Sequence, residues 1–269
     1  MPRAVRRLVA LLALVASILL GVAPASANHA WANYHWARSQ FPFTVTVGDN
    51  LTPQWTQFLA TAATDWGLTD GVCNNVLNPV RVSVVPGNAK SRPCKPATGR
   101  VEVCNARYGN RGWLGLAGIY VQGDHIVRAY MKLNDYYFAL AQYDTPAWRQ
   151  YVTSQELGHT FGLAHQDEDF SNADLLDGCG RGSCMDYSAD PANNTAPNQH
   201  DYDQLATIYG GHFDAPAPAP AAIAVEDEFD VEDPANWGRA QRFDRGRGVV
   251  YERALSNGGK LVTFVIWAE

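Results

Sequence analysis

The sequence of 269 residues lacks four features, and each absence removes a class of protein. Beyond residue 27 no segment is apolar enough to cross a membrane, which argues against a membrane-spanning protein once the first residues are set aside. Cations do not dominate: 21 Lys and Arg stand against 27 Asp and Glu, for a formal charge of -6. Phosphate binding needs clustered cations, so this balance argues against a nucleic-acid partner. No C-x-x-C pair occurs, which argues against a zinc–thiolate site. No stretch repeats itself, which removes solenoids and propellers.

What is present starts with Arg3, Arg6 and Arg7, an apolar run from Leu8 to Val22, and then Ala25, Ser26 and Ala27. Basic head, apolar middle and small-residue exit are the parts of a secretory signal peptide. An uncleaved anchor is the rival, but the run is short for a span and ends in an A-x-A site. Cleavage after Ala27 removes three arginines and no acid, so -6 becomes -9. The mature chain is expected to start at Asn28 and to be secreted. In that setting Cys73, Cys94, Cys104, Cys179 and Cys184 are disulfide formers. Cys179 and Cys184 are close enough to staple one loop, which leaves one further bridge and one thiol among the other three.

Phe43 to Val47 alternates and predicts a strand. Thr52 and Pro53 supply an N-cap and a first-turn proline. After them Trp55, Phe58, Leu59, Ala62, Ala63 and Trp66 fall on one helical stripe. Val80 to Val85 and Arg100 to Cys104 follow as strands. Leu116 to Val121 and Ile126 to Leu133 predict a hairpin about Gly123 and Asp124, with Val127, Ala129, Met131 and Leu133 on one face. Thr145 and Pro146 open a second helix, whose stripe runs through Trp148, Tyr151, Val152, Gln155, Glu156 and His159 to a stop at Gly162. A third helix is expected to start at Asp201, with Gln204 as its capping-box partner, and to end at Gly210 and Gly211.

Four segments result: a leader over 1–27, a main domain over 28–213, a stiff Ala/Pro spacer over 214–224, and a small unit over 225–269. The last holds an acidic patch from Glu226 to Asp233, a basic cluster from Arg239 to Arg247, and a hairpin of Val249 to Leu255 with Leu261 to Trp267. Some forty residues make a marginal unit alone, so it is expected to dock on the main domain or on a partner.

The chemistry-bearing residues are concentrated in the second helix. Positions 155 and 159 share a helix face, so Gln155 and His159 can converge on one ion. Glu156 lies beside them, where it can take a proton from a metal-bound water without itself binding the metal. Gly162 lets the chain turn sharply and return His165 as a third ligand. Three protein ligands leave a position open for water, the catalytic arrangement of zinc.

Gln155, Glu156, His159, Gly162 and His165 match H-E-x-x-H-x-x-G-x-x-H at every position but the first. With Ser183 to Tyr187 as a Met-turn and Gln204 to Gly210 as a closing helix, residues 41–210 resemble the metzincins, within them the matrixin-like branch. The resemblance implies an α+β fold: a twisted, mostly parallel sheet with an antiparallel edge strand, an active-site helix, the Met-turn and a closing helix. It places Met185 under the metal and makes Tyr187 an extra ligand or oxyanion partner. It also leaves the strand around Leu116 to Val121 as the open edge on which a peptide lies extended.

The implied activity is zinc-dependent hydrolysis of peptide or protein substrates by a monomer, with Glu156 as general base. Glutamine offers only an amide oxygen, a poorer zinc donor than imidazole. Gln155 could ligate weakly; His200 or one of Asp167, Glu168 and Asp169 could complete the set; or the metal could be lost, leaving a pseudoprotease that binds peptides. The same three acids could hold calcium, although an exposed acidic loop is the plainer reading. Between Asn28 and Phe41 there is little room for an inhibitory pro-segment and no cysteine. His29, Trp31, Tyr34, His35 and Trp36 in this stretch are expected to pack on the domain, with loose metal binding as the rival.

Overall fold

The computed structural model describes residues 29–69, 71–73, 76–214 and 229–269. The leader expected over 1–27 and the Ala/Pro run after Asp214 lie outside the described residues. The elements in chain order are β1 (His35–Trp36), β2 (Phe43–Asn50), α1 (Pro53–Trp66), β3 (Val80–Pro86), β4 (Arg100–Ala106), β5 (Trp113–Gln122) and β6 (His125–Asn134). Then come α2 (Pro146–His159), α3 (Gln199–Tyr209), β7 (Arg239–Asp244), β8 (Arg247–Ala254) and β9 (Lys260–Trp267). The described residues thus form a mixed α/β fold with three α-helices and one nine-stranded sheet. None of these helices is long and apolar enough to cross a membrane.

The helices follow their local signals. The buried residues of α1 are Trp55, Phe58, Leu59, Ala62, Ala63 and Trp66, the same stripe that the sequence spacing picks out. In α2 the Thr145 hydroxyl accepts from the Trp148 amide at 3.2 Å, satisfying one of the donors that a helix start leaves free. The start of α3 differs from the expectation. Asn198 is the N-cap, its side chain accepting from the His200 amide at 3.0 Å, and Asp201 is the third residue of the capping box. Gln204 is not the cap partner; its side-chain oxygen accepts from the His29 amide at 2.9 Å.

The sheet runs β3-β2-β4-β6-β5-β9-β8-β7. Its first four strands are parallel, and β5 turns back antiparallel to β6 about Gly123 and Asp124. α1 and α2 pack together, α1 over β3 and α2 over β5 and β6. The N-terminal stretch packs as expected: the Trp31 amide donates to the Gly162 carbonyl at 2.9 Å and the Trp36 indole to the Thr160 carbonyl at 2.8 Å.

The sheet does not end at β5. The edge expected to lie open along Leu116 to Val121 is filled by β9, antiparallel, with Leu116 across from Val265 and Ile119 across from Val262. Leu261, Val262, Phe264, Val265 and Ile266 are all fully buried. A near-continuous apolar run is what a strand covered on both faces requires, and no such run is stable at an open edge. β7 was not legible as a strand: its exposed residues, Arg239, Gln241 and Phe243, share no single character, and it forms the outer edge of the sheet.

A buried ion pair ties the tail down. Lys132 on β6, fully buried, donates to Glu232 at 3.0 Å, and Arg92 reaches the same carboxylate at 2.6 Å. Trp237 is also fully buried, its indole donating to the Val231 carbonyl at 2.7 Å. The cysteines correct the sequence reading: the bridges are Cys73–Cys179 and Cys94–Cys104. Cys184 is a buried free thiol, held inside by its own amide bond to the Ala196 carbonyl, while Cys179 sits in an exposed loop.

Removing one partner of a buried pair strands the other charge. Glu232→Ala is expected to destabilise the folded chain by about 3–5 kcal/mol, and Lys132→Met combined with Glu232→Gln by much less. Urea unfolding of the three proteins reads this, and equal losses in both variants would show that Lys132 is not held by this pair.

Candidate active site

The C-terminus of α2 builds the site. Gly162 has φ +92°, a conformation that side chains disfavour, and a Cβ there would run into the Tyr34 carbonyl. That tight turn brings His165 back against His159, and their Nε2 atoms stand 2.9 Å apart. Each ring is steered by its other nitrogen. His159 Nδ1 lies 2.9 Å from the Leu163 carbonyl oxygen, which puts a proton on Nδ1 and a lone pair on Nε2. His165 Nδ1 faces the Glu168 carboxylate at 3.6 Å, and Arg242 donates to the same oxygen at 2.8 Å. Burial opposes ionisation of Glu168, but His165 and Arg242 outweigh it and hold its carboxyl down at about 2. Burial pushes both imidazoles below the ordinary histidine range, and neither is charged near neutral pH.

Gln155 occupies the position one helical turn before His159. Tyr151 fixes the orientation of the amide: its hydroxyl donates to the Asp186 carbonyl at 3.0 Å and so accepts from Gln155 Nε2 at 3.2 Å. The Gln155 oxygen is left buried without a partner. Glu156 is fully buried too, and neither of its oxygens makes a hydrogen bond of good geometry, although the Ile266 backbone N–H reaches toward it. Burial raises its carboxyl well above the usual carboxylate range, which favours the protonated form. β5 crosses directly above it, and only glycine fits at position 115, because a Cβ there would press on Glu156 and Val152.

Met185 is joined to the His165 segment: the Gln166 amide donates to its carbonyl at 2.7 Å, and its own amide donates to the Ser183 hydroxyl at 2.8 Å. The Tyr187 ring packs on His165 with centroids 4.6 Å apart. Its hydroxyl donates to the Val265 carbonyl of β9 at 2.7 Å. The tail closes the site with Phe264, stacked on the His159 ring at 4.2 Å and 7°.

The structure therefore puts His159, His165 and Tyr187 in contact and buries Gln155 and Glu156 on the same helix. A zinc ion holds tetrahedral nitrogen ligands about 3.3 Å apart, so a slight spreading of the two rings from 2.9 Å admits one. The donor set fits a metal: two imidazole lone pairs and an orphaned amide oxygen. The other candidates for the missing ligand are engaged with other partners. His200 stacks on His29 at 4.8 Å. Asp167 accepts from the Asp169 amide and Asn172, and Asp169 from Ser171. With Glu168 turned to His165 and Arg242, the three acids do not form the calcium cage considered from sequence. Phe264 and Tyr151 were not singled out as site residues, and Glu168 was considered only as a metal ligand, not as the partner of His165. Only the apolar run from Leu261 carried a signal for Phe264, and it pointed to a hairpin rather than to the site.

No family model and no curated protein matches the sequence. Two solved structures resemble the fold weakly. "Structure of myroilysin" shares 13% identity at a TM-score of 0.37, covering 69% of this chain and 100% of that one. "Crystal structure of myroilysin" shares 12% at 0.35, covering 71% and 97%.

The state of Glu156 makes a pH prediction. An acid whose folded pKa lies above its ordinary 4.5 binds more protons folded than unfolded. Its contribution to stability is therefore present below about 4.5 and is lost as pH rises toward the folded value. In metal-free protein, Glu156→Gln is expected to lose less stability than the parent as pH rises above about 5, read by denaturant midpoints. An identical loss in both proteins would show that Glu156 is ionised in the folded state.

Proposed function

We propose that the chain is an exported zinc-dependent peptide hydrolase, folded in a latent form with its own C-terminal strand in the substrate cleft. The observation that carries this reading is the joint presence of the buried, unpartnered Gln155 oxygen and Glu156 carboxyl beside two facing imidazoles. Buried polar groups almost always find partners, and leaving one unsatisfied costs about 1–3 kcal/mol. Two in one pocket are accounted for by a cation and its water.

His159, His165 and the Gln155 oxygen would hold zinc, with Met185 and its turn positioning His165. When bound there, zinc supplies a water whose pKa falls to about 7 and polarises a carbonyl. The remaining chemistry belongs to the chain. β5 offers its backbone edge to an extended peptide, as it now does to β9. Once solvent reaches Glu156, its carboxyl returns toward the ordinary range, and it can hold a proton on one oxygen and release it to a leaving amine. Tyr187, freed from the Val265 carbonyl, donates to a substrate carbonyl in the same place.

The tail strand makes the contacts of a bound peptide: antiparallel pairing, a carbonyl on Tyr187 and a side chain on His159. A second reading, a pseudoprotease whose tail is a permanent strand, draws on the depth at which β9 is buried and on Gln155. Loosening the tail separates the two. Phe264→Ser removes about 3–5 kcal/mol of packing and is expected to raise hydrolysis of an unstructured peptide by the zinc-loaded protein about tenfold or more. The further change Glu156→Gln should abolish the gain. A loosened protein that holds zinc and cleaves nothing would establish the pseudoprotease.

Gln155 makes its own prediction. With a weak amide ligand, Gln155→His is expected to tighten zinc binding by on the order of tenfold or more in chelator competition. Unchanged affinity would place the third ligand elsewhere.

A further inference from the structure

A second group of donors lies apart from the first and owes nothing to the reading of the catalytic site. β1 pairs in parallel with β6 and sets His35 directly across from His125. Beyond α3 the chain returns to the same place. The Asp214 amide donates to the Arg38 carbonyl, and the Arg38 amide donates back to Asp214 Oδ2, both at 2.9 Å. These bonds fix the carboxylate with Oδ1 turned toward the histidines, and they carry His212 along.

The distances are those of a coordination shell. Asp214 Oδ1 stands 3.5 Å from His35 Nε2, 3.2 Å from His125 Nε2 and 3.7 Å from His212 Nε2. His212 Nε2 is 3.4 Å from His35 Nε2. The donor atoms of His35, His125 and Asp214 all lie within 4.8 Å of one another. Zinc bonds of about 2.0–2.1 Å in a tetrahedron separate neighbouring ligand atoms by about 3.3–3.4 Å. The rings are oriented from behind. His35 Nδ1 lies 2.6 Å from the Asn33 carbonyl oxygen and His212 Nδ1 3.2 Å from that of Gly210. Both contacts put the proton on Nδ1 and aim the Nε2 lone pair at the Asp214 carboxylate. Lone pairs facing an anion repel unless a cation sits between them.

We propose that His35, His125, His212 and Asp214 bind a second divalent transition-metal ion, zinc by donor set. Four protein ligands close the shell, which makes the site structural rather than catalytic. It ties the N-terminal stretch, the β5–β6 turn and the exit of α3 together at the last described residue before the Ala/Pro run. His125 and His212 are partly exposed, so an ion has an entry path.

The test uses the full chain with His159→Ala and His165→Ala, so that the first site is removed and failure of the catalytic reading cannot affect the outcome. This protein, stripped of metal, is expected to bind about one equivalent of zinc or cobalt, to show the absorption of four-coordinate cobalt, and to gain roughly 5 °C or more in melting temperature at saturating zinc. Adding His125→Ala or His35→Ala should abolish all three, while leaving the melting temperature in chelator close to that of the His159→Ala, His165→Ala protein. A chain lacking His159 and His165 that binds no zinc, or that binds it equally well without His125 and His35, would overturn the proposal. So would a melting temperature that responds to pH but not to zinc, since the cluster would then be an ion pair of protonated histidines with Asp214.

Discussion

The antiparallel pairing of β9 with β5 is the contact on which the state of the site depends. β5 lies over Glu156 at Gly115, and β9 pairs with its other side. With β9 in place, Phe264 covers His159 and Val265 occupies the Tyr187 hydroxyl. These residues are buried, and burial lowers both imidazoles and raises the Glu156 carboxyl. The same residues in contact with water would have the opposite protonation at Glu156. On the proposed reading, displacing β9 alone would change the protonation of Glu156.

The tail is held by interactions of two kinds. Apolar burial along Leu261 to Ile266 is non-directional and strong. The pair of Lys132 with Glu232, backed by Arg92, is directional and specifies where the tail enters. Burial lowers the Lys132 ammonium, while burial of Glu232 is outweighed by Arg92 and Lys132, which keep its carboxyl below the ordinary range. That carboxylate contributes stability above its ordinary 4.5 and loses it as pH falls toward the lowered folded value. Strong acid therefore loosens the tail entry before it affects the apolar strand.

Much of this was legible in sequence because the signals were local. The stripe of α1, the Thr145 and Pro146 start of α2, the Gly162 stop and the Gly123 turn are each set by residues within one or two turns of each other. The spacing of His159 and His165 was legible for the same reason. What escaped depends on contacts between distant segments. Cys73 and Cys179 are 106 positions apart, so spacing favoured the nearer Cys184. The capping box of α3 was placed late because Asp201 and Gln204 imitate one, whereas Asn198 and Asp201 form it. Phe264 meets His159 only because β9 crosses more than a hundred residues to reach β5, and His35 meets His125 and Asp214 through a two-residue strand. Periodicity cannot report which strands become neighbours.

Native-state hydrogen exchange tests the account most directly, because a latent cleft and a permanent sheet differ in how β9 opens. If β9 sits in the cleft as a displaceable strand, the amides of Leu261 to Trp267 and their β5 partners exchange through a local opening. That opening lies well below the free energy at which β2, β4 and β6 exchange. If β9 and β6 instead exchange together, at the free energy of global unfolding, the tail is part of the core and the site was never a closed substrate cleft.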